Sequence, residues 1–448
     1  MKISSKRESV ILLIGDLGLL YFSLWGTLAL RYMEIPPWGL FVQHLVPFSI
    51  IFIFWIGVFF IAGLYEKHTL LFKGKLPVIL FNAQGVNSVL AVLFFYFVPF
   101  FGITPKITLF MYLVISSLLL FVWRIYGVGR MGMRRRQRAL LVGSGTEMKE
   151  LRDEINGNSR YGISLVASID LDAPAPIDLQ NEIADTVSRE GISLVVIDME
   201  NKKFSLALPQ LYQLIFSRVR FVDQHKAYED IFDRIPFSLV GDRWFLENIA
   251  DSSSVAYDIL KRLMDTIVAT LLSVPTLLLF PFVVLLIKLD DGGSVFFAQK
   301  RIGVNNKIIK ILKFRTMGAP IKGKSEGTNN QITRVGKWLR KSRIDELPQL
   351  LSVLRGDLSL VGPRPEVPEL VELYEKEIPY YRVRHLIKPG LSGWAQIKDY
   401  NAPRQVADIN KTRAKLSYDL YYIKNRSFLL DFKISLQTIK TILSQSGV

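Results

Sequence analysis

The 448-residue chain contains no cysteine. That absence excludes a disulfide framework, a thiolate metal site and a cysteine nucleophile, and it leaves the redox compartment unmarked. Histidine is scarce too, at four residues, so candidate catalysts are carboxylates, those few histidines, or lysines. Acids are outnumbered: 56 Lys and Arg stand against 40 Asp and Glu, a formal charge of +16. Mean hydropathy is nevertheless positive. Few soluble chains of this size combine these properties, and the pair implies a membrane protein with a basic soluble part.

Four apolar runs occupy the first 130 residues, at 10–30, 46–64, 78–101 and 107–126. Each is long enough to cross about 30 Å of hydrocarbon as a helix. The first is too long for a signal-peptide core and is expected to be retained. Positive residues set the orientation: "KISSKR" precedes the first run, "EKHTLLFKGK" separates the second from the third, and "RIYGVGRMGMRRRQR" follows the fourth. The other two connections are almost free of Lys and Arg, so the N-terminus and everything beyond residue 130 should be cytoplasmic. Asp16 lies inside the first span, where an ionisable group is costly. Hydrogen bonding within the bundle accounts for it without any chemistry.

Between 138 and 235, short β-branched runs alternate with amphipathic ones, from "RALLVGSG" through "ISLVVIDME" and "FSLALPQLYQLIF" to "RVRFVD". This is the pattern of a small parallel α/β layer. Its first turn, Gly143-Ser144-Gly145, enters a helix as a dinucleotide loop does, but Met148 stands where the third glycine of G-x-G-x-x-G belongs. Asp170 ends the second strand and could reach a ribose or simply shape a turn. Nucleotide binding and a folded spacer or regulatory module both remain open. Residues 258–288 are apolar enough to span but contain Pro275 and Pro281. A straight span would carry the basic C-terminal region outside, against the charge bias, so a helix that enters, bends and returns is expected.

The last 160 residues carry the chemistry. Lys300, Arg301, Lys307, Lys310, Lys313, Arg315, Arg334, Lys337, Arg340, Lys341 and Arg343 form a basic stretch suited to nucleic acid or to anionic headgroups and phosphates. On a membrane-attached domain phosphates are the more economical target. "KFRTM" (313–317) alternates charge with apolar residues as a site-lining strand does. "IDELPQLLSVLRG" reads as a helix starting at Asp345 or Glu346, with Pro348 in its first turn and a stop at Gly356. Two carboxylates at a helix start could be caps, or charges kept ionised beside a substrate phosphate. Arg364, between Pro363 and Pro365, is held where a guanidinium can fork onto phosphate oxygens. Arg382, Arg384, His385 and Lys388 follow, and among those cations His385 suits a neutral hydrogen-bonding partner better than a general acid.

Residues 258–448 resemble the catalytic domain of bacterial polyprenyl-phosphate hexose-1-phosphate transferases, the monotopic phosphoglycosyl transferases, and the N-terminal half is similar to the long form of that family. The matching motifs run in order: "KRLMD", "KLDDGGSVFFAQKRIG", "KFRTM", "RIDELPQLL", "GDLSLVGPRPE", "KPGLSGWAQI" and "YDLYYIKNRSFLLDFKI". "AGLYEKH" (62–68) also fits. The resemblance implies Asp345 as the nucleophile on the β-phosphate of a UDP-sugar, Glu346 as its partner in binding Mg²⁺, and undecaprenyl phosphate as acceptor, giving UMP and an undecaprenyl diphosphate sugar. Lys313, Arg315, Arg343, Arg364 and Arg384 are the candidate phosphate-binding cations. Gly143 and Gly145 are the candidate cofactor loop. The family's usual bend position falls on Leu278, which Pro275 and Pro281 flank.

The expected architecture is a membrane protein of α plus α/β class. It comprises a four-helix transmembrane bundle (1–130), a cytoplasmic Rossmann-like module (131–250), a re-entrant membrane helix (251–290) and a mostly helical cytoplasmic catalytic domain (291–448). The resemblance further implies the bacterial inner membrane, contact with membrane lipid, a homodimer, and the first membrane step of exopolysaccharide, capsule or O-antigen synthesis. A nucleic-acid partner is not expected, since no binding module or aromatic stacking platform is present. The rival readings are a polytopic phosphoglycosyl transferase, which needs about ten spans, and a non-catalytic nucleotide-sensing scaffold, which needs an intact loop at 143–148.

Overall fold

The computed structural model describes residues 7–65, 76–98, 106–127, 137–158, 161–172, 179–199, 201, 219–237, 241–249, 255–318, 332–398 and 408–443. The expected segment 204–216 and the basic connection 66–75 lie outside them. Two compact units divide the chain, Met1–Phe232 and Asp233–Val448.

In the first unit, α1 (Arg7–Tyr32), α2 (Trp38–Ile61), α3 (Leu76–Phe97) and α4 (Lys106–Val122) are each apolar and long. With the helix of residues 255–291 they make five described helices long and apolar enough to cross a membrane. The second starts eight residues before the expected 46, directly after Pro37, because Gln43 and His44 break the apolar run in sequence without breaking the helix. Leu12, Leu20, Leu24 and Leu28 are buried at multiples of four, a ridge that turns inward. They join one core with Phe48, Phe52, Trp55 and Tyr112. Asp16 lies on the same ridge and is buried. It pairs with Arg124 and accepts from Tyr65 Oη at 2.8 Å, while Arg124 also donates to the Leu64 carbonyl at 2.7 Å. Arg124, counted in sequence among the positive residues that set the orientation, is therefore an internal partner.

The α/β layer is a four-stranded parallel sheet of order β2-β1-β3-β4, from β1 (Gln137–Gly143), β2 (Ile163–Asp170), β3 (Leu194–Ile197) and β4 (Arg220–Asp223). Helices α5 (Gly145–Gly157), α6 (Leu179–Glu190) and α7 (Gln224–Phe232) accompany it. β3 is buried throughout, as a central parallel strand should be. Asp170 Oδ1 accepts from the Asp172 amide at 3.0 Å, so it shapes the turn after β2.

The second unit begins earlier than the expected boundary at 250. Ile235, Trp244, Phe245 and Ile249 share a core with Tyr374, Tyr381, Leu416 and Leu420. The large apolar residues around α8 (Asp242–Asn248) complete a core that the sequence order conceals. The long helix α9 (Val255–Asp291) runs through both Pro275 and Pro281. Beyond it, β5 (Phe296–Ile302) and β6 (Ile308–Phe314) form an antiparallel hairpin. The rest is mostly short helices: α10 (Arg334–Lys341), α11 (Leu350–Arg355), α12 (Pro368–Glu377), α13 (Trp394–Lys398), α14 (Ile409–Lys424) and α15 (Phe428–Leu443). One parallel pair interrupts them, β7 (Ser359–Val361) with β8 (Gly390–Ser392).

Both ends of α9 are fastened to this unit. Near the start, Tyr257 and Lys261 reach Asp431, each at 2.7 Å, and Arg262 donates to the Val353 and Leu354 carbonyls that end α11. Asp265 accepts from the Leu360 amide at 3.2 Å. Near the end, Asp290 accepts from the Val335 amide at 3.1 Å and Asp291 pairs with Arg315. Between these anchors Leu271, Leu277, Leu278 and Phe282 are each 65–70% exposed, a stretch that needs an apolar solvent.

Candidate active site

The two adjacent acids fall on a tight 3₁₀ turn, Ile344–Gln349, and the α-helix begins only at Leu350. The expected helix start at 345 or 346 is therefore moved by a turn. Pro348 explains the shift, since it restricts Leu347 before it and offers no N–H for a regular α-turn. Gly356 ends the helix at φ 91°, as expected. Arg343 enters the turn in the left-handed region, φ 57°, which turns the chain sharply between α10 and the acids.

Glu346 is the charge centre. Its Oε1 accepts from Lys313 Nζ at 2.8 Å and from Arg364 at 2.9 Å, and Arg343 lies 3.7 Å from Oε2. Burial alone would raise its pKa, but Arg364, Lys313 and Arg343 outweigh it and hold the carboxyl well below the usual range. Asp345, 8% exposed, differs: burial and the neighbouring Glu346 charge push it up to about 6, against the pull of Lys313, Arg343 and Arg340. Its Oδ1 is buried and accepts no hydrogen bond among the described residues. One carboxylate is thus bound by cations while its neighbour keeps a buried, unpartnered oxygen.

Lys313 and Arg364, the cations on Glu346 Oε1, also line a small cleft with Arg301, Ile311, Gln349, Pro365, Gly390 and Leu391. Its far wall rests on two glycines that touch. A Cβ on Gly390 would lie 2.1 Å from the Gly362 amide nitrogen, and one on Gly362 would lie 2.6 Å from the Lys388 carbonyl. Only glycine lets "VGPRP" and "KPGLS" approach this closely, which sets Arg364 against the cleft.

Of the cations expected at phosphate, Lys313, Arg343 and Arg364 converge on Glu346. Arg384 stands behind them: buried, it donates to the Arg364 carbonyl at 2.9 Å, Asp419 at 2.8 Å and Tyr381 Oη at 2.6 Å. Arg315 pairs with Asp291 at the end of α9. His385 is buried, meets Asn306 Oδ1 at 2.6 Å, and is pushed down to about 3 by burial and Arg384, so it is neutral as expected. Glu366 binds Lys415 and is held near 2 despite burial, because Lys415, Arg384 and Arg301 surround it. Gly143 and Gly145 belong to the first unit; the Gln224 side chain lies over Gly143, and Met148 is buried in the sheet's core. Sequence reading missed Gln349 and Gly390 in the cleft wall. Their only signal was membership of the same motifs as the charged residues.

A unit that sets two adjacent carboxylates among cations, two of which line a cleft, suits chemistry on phosphates. The comparisons with known proteins agree. Residues 256–445 match the family described as bacterial sugar transferase. The chain is 44% identical over 204 residues to a UDP-N-acetylgalactosamine-undecaprenyl-phosphate N-acetylgalactosaminephosphotransferase of Aeromonas hydrophila, covering 43% of this chain and 46% of that one. It is 38% identical over 194 residues to a UDP-glucose:undecaprenyl-phosphate glucose-1-phosphate transferase of Caulobacter vibrioides, covering 42% of this chain and 72% of that one. An undecaprenyl-phosphate glucose phosphotransferase of Komagataeibacter xylinus is 31% identical over 365 residues, 76% of this chain and 66% of that one. The chain belongs to the bacterial sugar transferase family and is a transferase.

Proposed function

We propose that the protein transfers a hexose 1-phosphate from a UDP-sugar to undecaprenyl phosphate, through a covalent intermediate on Asp345. The observation that carries this reading is the contrast between the two acids: Asp345 is buried with an unpartnered oxygen, while Glu346 is held ionised by three cations. In the first step an Asp345 carboxylate oxygen attacks the β-phosphorus and the bond to the α-phosphate bridging oxygen breaks. UMP leaves with the electron pair. In the second, a phosphate oxygen of the acceptor attacks the same phosphorus, forming the polyprenyl diphosphate sugar and returning Asp345 as carboxylate. One transfer between two anions becomes two steps on a neutralised surface. Lys313, Arg364 and Arg343 hold Glu346 and present their remaining N–H groups to the diphosphate; Arg384 positions Arg364 through its carbonyl.

The buried, unpartnered Oδ1 of Asp345 suits a hard cation, and Asp345 would hold Mg²⁺ with the substrate diphosphate. Among the described residues no group of three or more His, Asp or Glu could hold a metal unaided. Glu346 would join through Oε2, which has Arg343 at 3.7 Å while both close cation contacts fall on Oε1. When bound, the ion supplies charge neutralisation to the diphosphate.

The anchoring of both ends of α9 to one unit supports a re-entrant course. If straight, 37 residues extend about 55 Å, more than hydrocarbon thickness. Opposite ends on opposite membrane faces cannot both grip a single soluble unit. We accordingly place that unit on the cytoplasmic face of the bacterial inner membrane, and assign the reaction to the first membrane step of a surface polysaccharide. A homodimer is the assembly proposed.

UMP release from UDP-glucose, UDP-galactose and their N-acetylated counterparts, with undecaprenyl phosphate and Mg²⁺, tests the reaction. Release with one donor, lost in Asp345→Asn, is expected. No release from any donor would shift the function to the α/β module as a non-catalytic sensor.

A further inference from the structure

Gln349 is a polar residue in the cleft wall that the charge network leaves unused. It is 5% exposed, and its Nε2 is buried with no hydrogen-bond partner among the described residues. Buried amide N–H groups are almost always satisfied, so this one needs an explanation. It stands four residues after Asp345, at the end of the same turn, and the two groups are complementary: an unpaired donor and an unpaired acceptor. Gln349 also lines the cleft with Lys313 and Arg364, the two cations on Glu346 Oε1. Lys313 and Arg364 each donate to Glu346, whereas the buried Gln349 Nε2 donates to nothing among the described residues.

Resting on the covalent reading above, we propose that Gln349 is a catalytic residue whose side-chain amide donates to a non-bridging oxygen of the phosphorus while that phosphorus is bonded to Asp345. Charge on those oxygens is redistributed as the Asp345–phosphorus bond forms and the bond to UMP breaks, and a donor fixed beforehand costs no reorganisation at that moment. A neutral amide is the suitable donor on the turn that carries Asp345. A lysine there would bind the carboxylate itself and block its attack, whereas an amide stabilises the phosphoryl group without neutralising the nucleophile. The unsatisfied N–H in the protein alone is then a polar group reserved for the substrate, in keeping with local rule-breaking at functional sites.

This assignment separates stability from chemistry. Replacing an unpaired buried amide by an apolar side chain of similar length removes a desolvated group, so Gln349→Met should fold as well as wild type or better. The test is rapid-quench measurement of the first turnover of UMP, without acceptor, using UDP-glucose and UDP-N-acetylgalactosamine, for wild type, Asp345→Asn, Gln349→Met and Gln349→Leu. Expected is a wild-type burst absent in Asp345→Asn, and in Gln349→Met an unchanged melting temperature with a first-turnover rate about 10²-fold lower, the usual effect of losing one such donor. The half-saturating donor concentration should change little. A folded Gln349→Met or Gln349→Leu with the wild-type rate overturns the proposal, as does a loss confined to the half-saturating concentration. Failure of the wild-type burst itself would instead overturn the covalent reading on which the proposal rests.

Discussion

At the scale of single residues, the chemistry depends on which cations have a partner. Lys313, Arg343 and Arg364 were legible because their motifs crowd around the paired acids, and they do meet at Glu346. Arg384 and Arg315 were equally prominent in sequence, but each satisfies a distant structural carboxylate, Asp419 in one case and Asp291 in the other. A charge pattern cannot reveal a partner 35 residues away. The unpartnered oxygen of Asp345 and the unpaired amide of Gln349 were likewise invisible, because burial without a partner is a property of packing. His385 yields a prediction with a definite sign. It stays neutral in the fold down to about pH 3, while in the unfolded chain it protonates near 6.5. Between those values the unfolded state binds the extra proton, so the His385 contribution lowers stability progressively as pH falls from 6.5 towards 3. Melting temperatures from pH 7 to pH 4 should drop less steeply in His385→Gln than in wild type, and identical slopes would contradict the assignment.

Single elements show where periodicity was informative and where it failed. The four early apolar helices and the strand-helix alternation of the α/β layer were readable, since both follow from the periodicity of apolar residues. The start of α2 was misjudged because polar Gln43 and His44 sit within a helix whose other faces are apolar, and the start of α11 because Pro348 converts its first turn to 3₁₀. The inward ridge of α1 carries one ion pair, Asp16 with Arg124. Removing one partner leaves the other charge buried and unpaired, a loss of about 3–5 kcal/mol. Asp16→Ala should therefore lower the thermal stability of the detergent-solubilised protein sharply, and a shift no larger than that of an exposed apolar-to-Ala change, such as Phe81→Ala, would show the pair to be dispensable.

The molecule as a whole is a membrane transferase in which the paired acids and the apolar helix α9 belong to one compact unit. Residues 233–249, read from sequence as part of the α/β module, fill the core of this unit instead, since only contacts across 130 or more residues reveal where Trp244 and Phe245 are buried. The topology is testable because the native chain lacks cysteine, so any introduced thiol is unique. Val255→Cys, at the exposed first residue of α9, and Ser294→Cys, exposed just beyond its end, should label with a membrane-impermeant maleimide from the cytoplasmic side in inverted vesicles, and Leu278→Cys should be protected. Labelling of Ser294→Cys only from the opposite side would establish a straight span.

The most direct test of the covalent role of Asp345 is the intact mass of the detergent-purified protein after incubation with its UDP-sugar in the absence of acceptor. The wild-type chain should gain one hexose phosphate, lose it on addition of undecaprenyl phosphate, and show no gain as Asp345→Asn. Turnover without any such adduct on the wild type, or an adduct that persists in Asp345→Asn, would contradict the assignment of Asp345 as nucleophile.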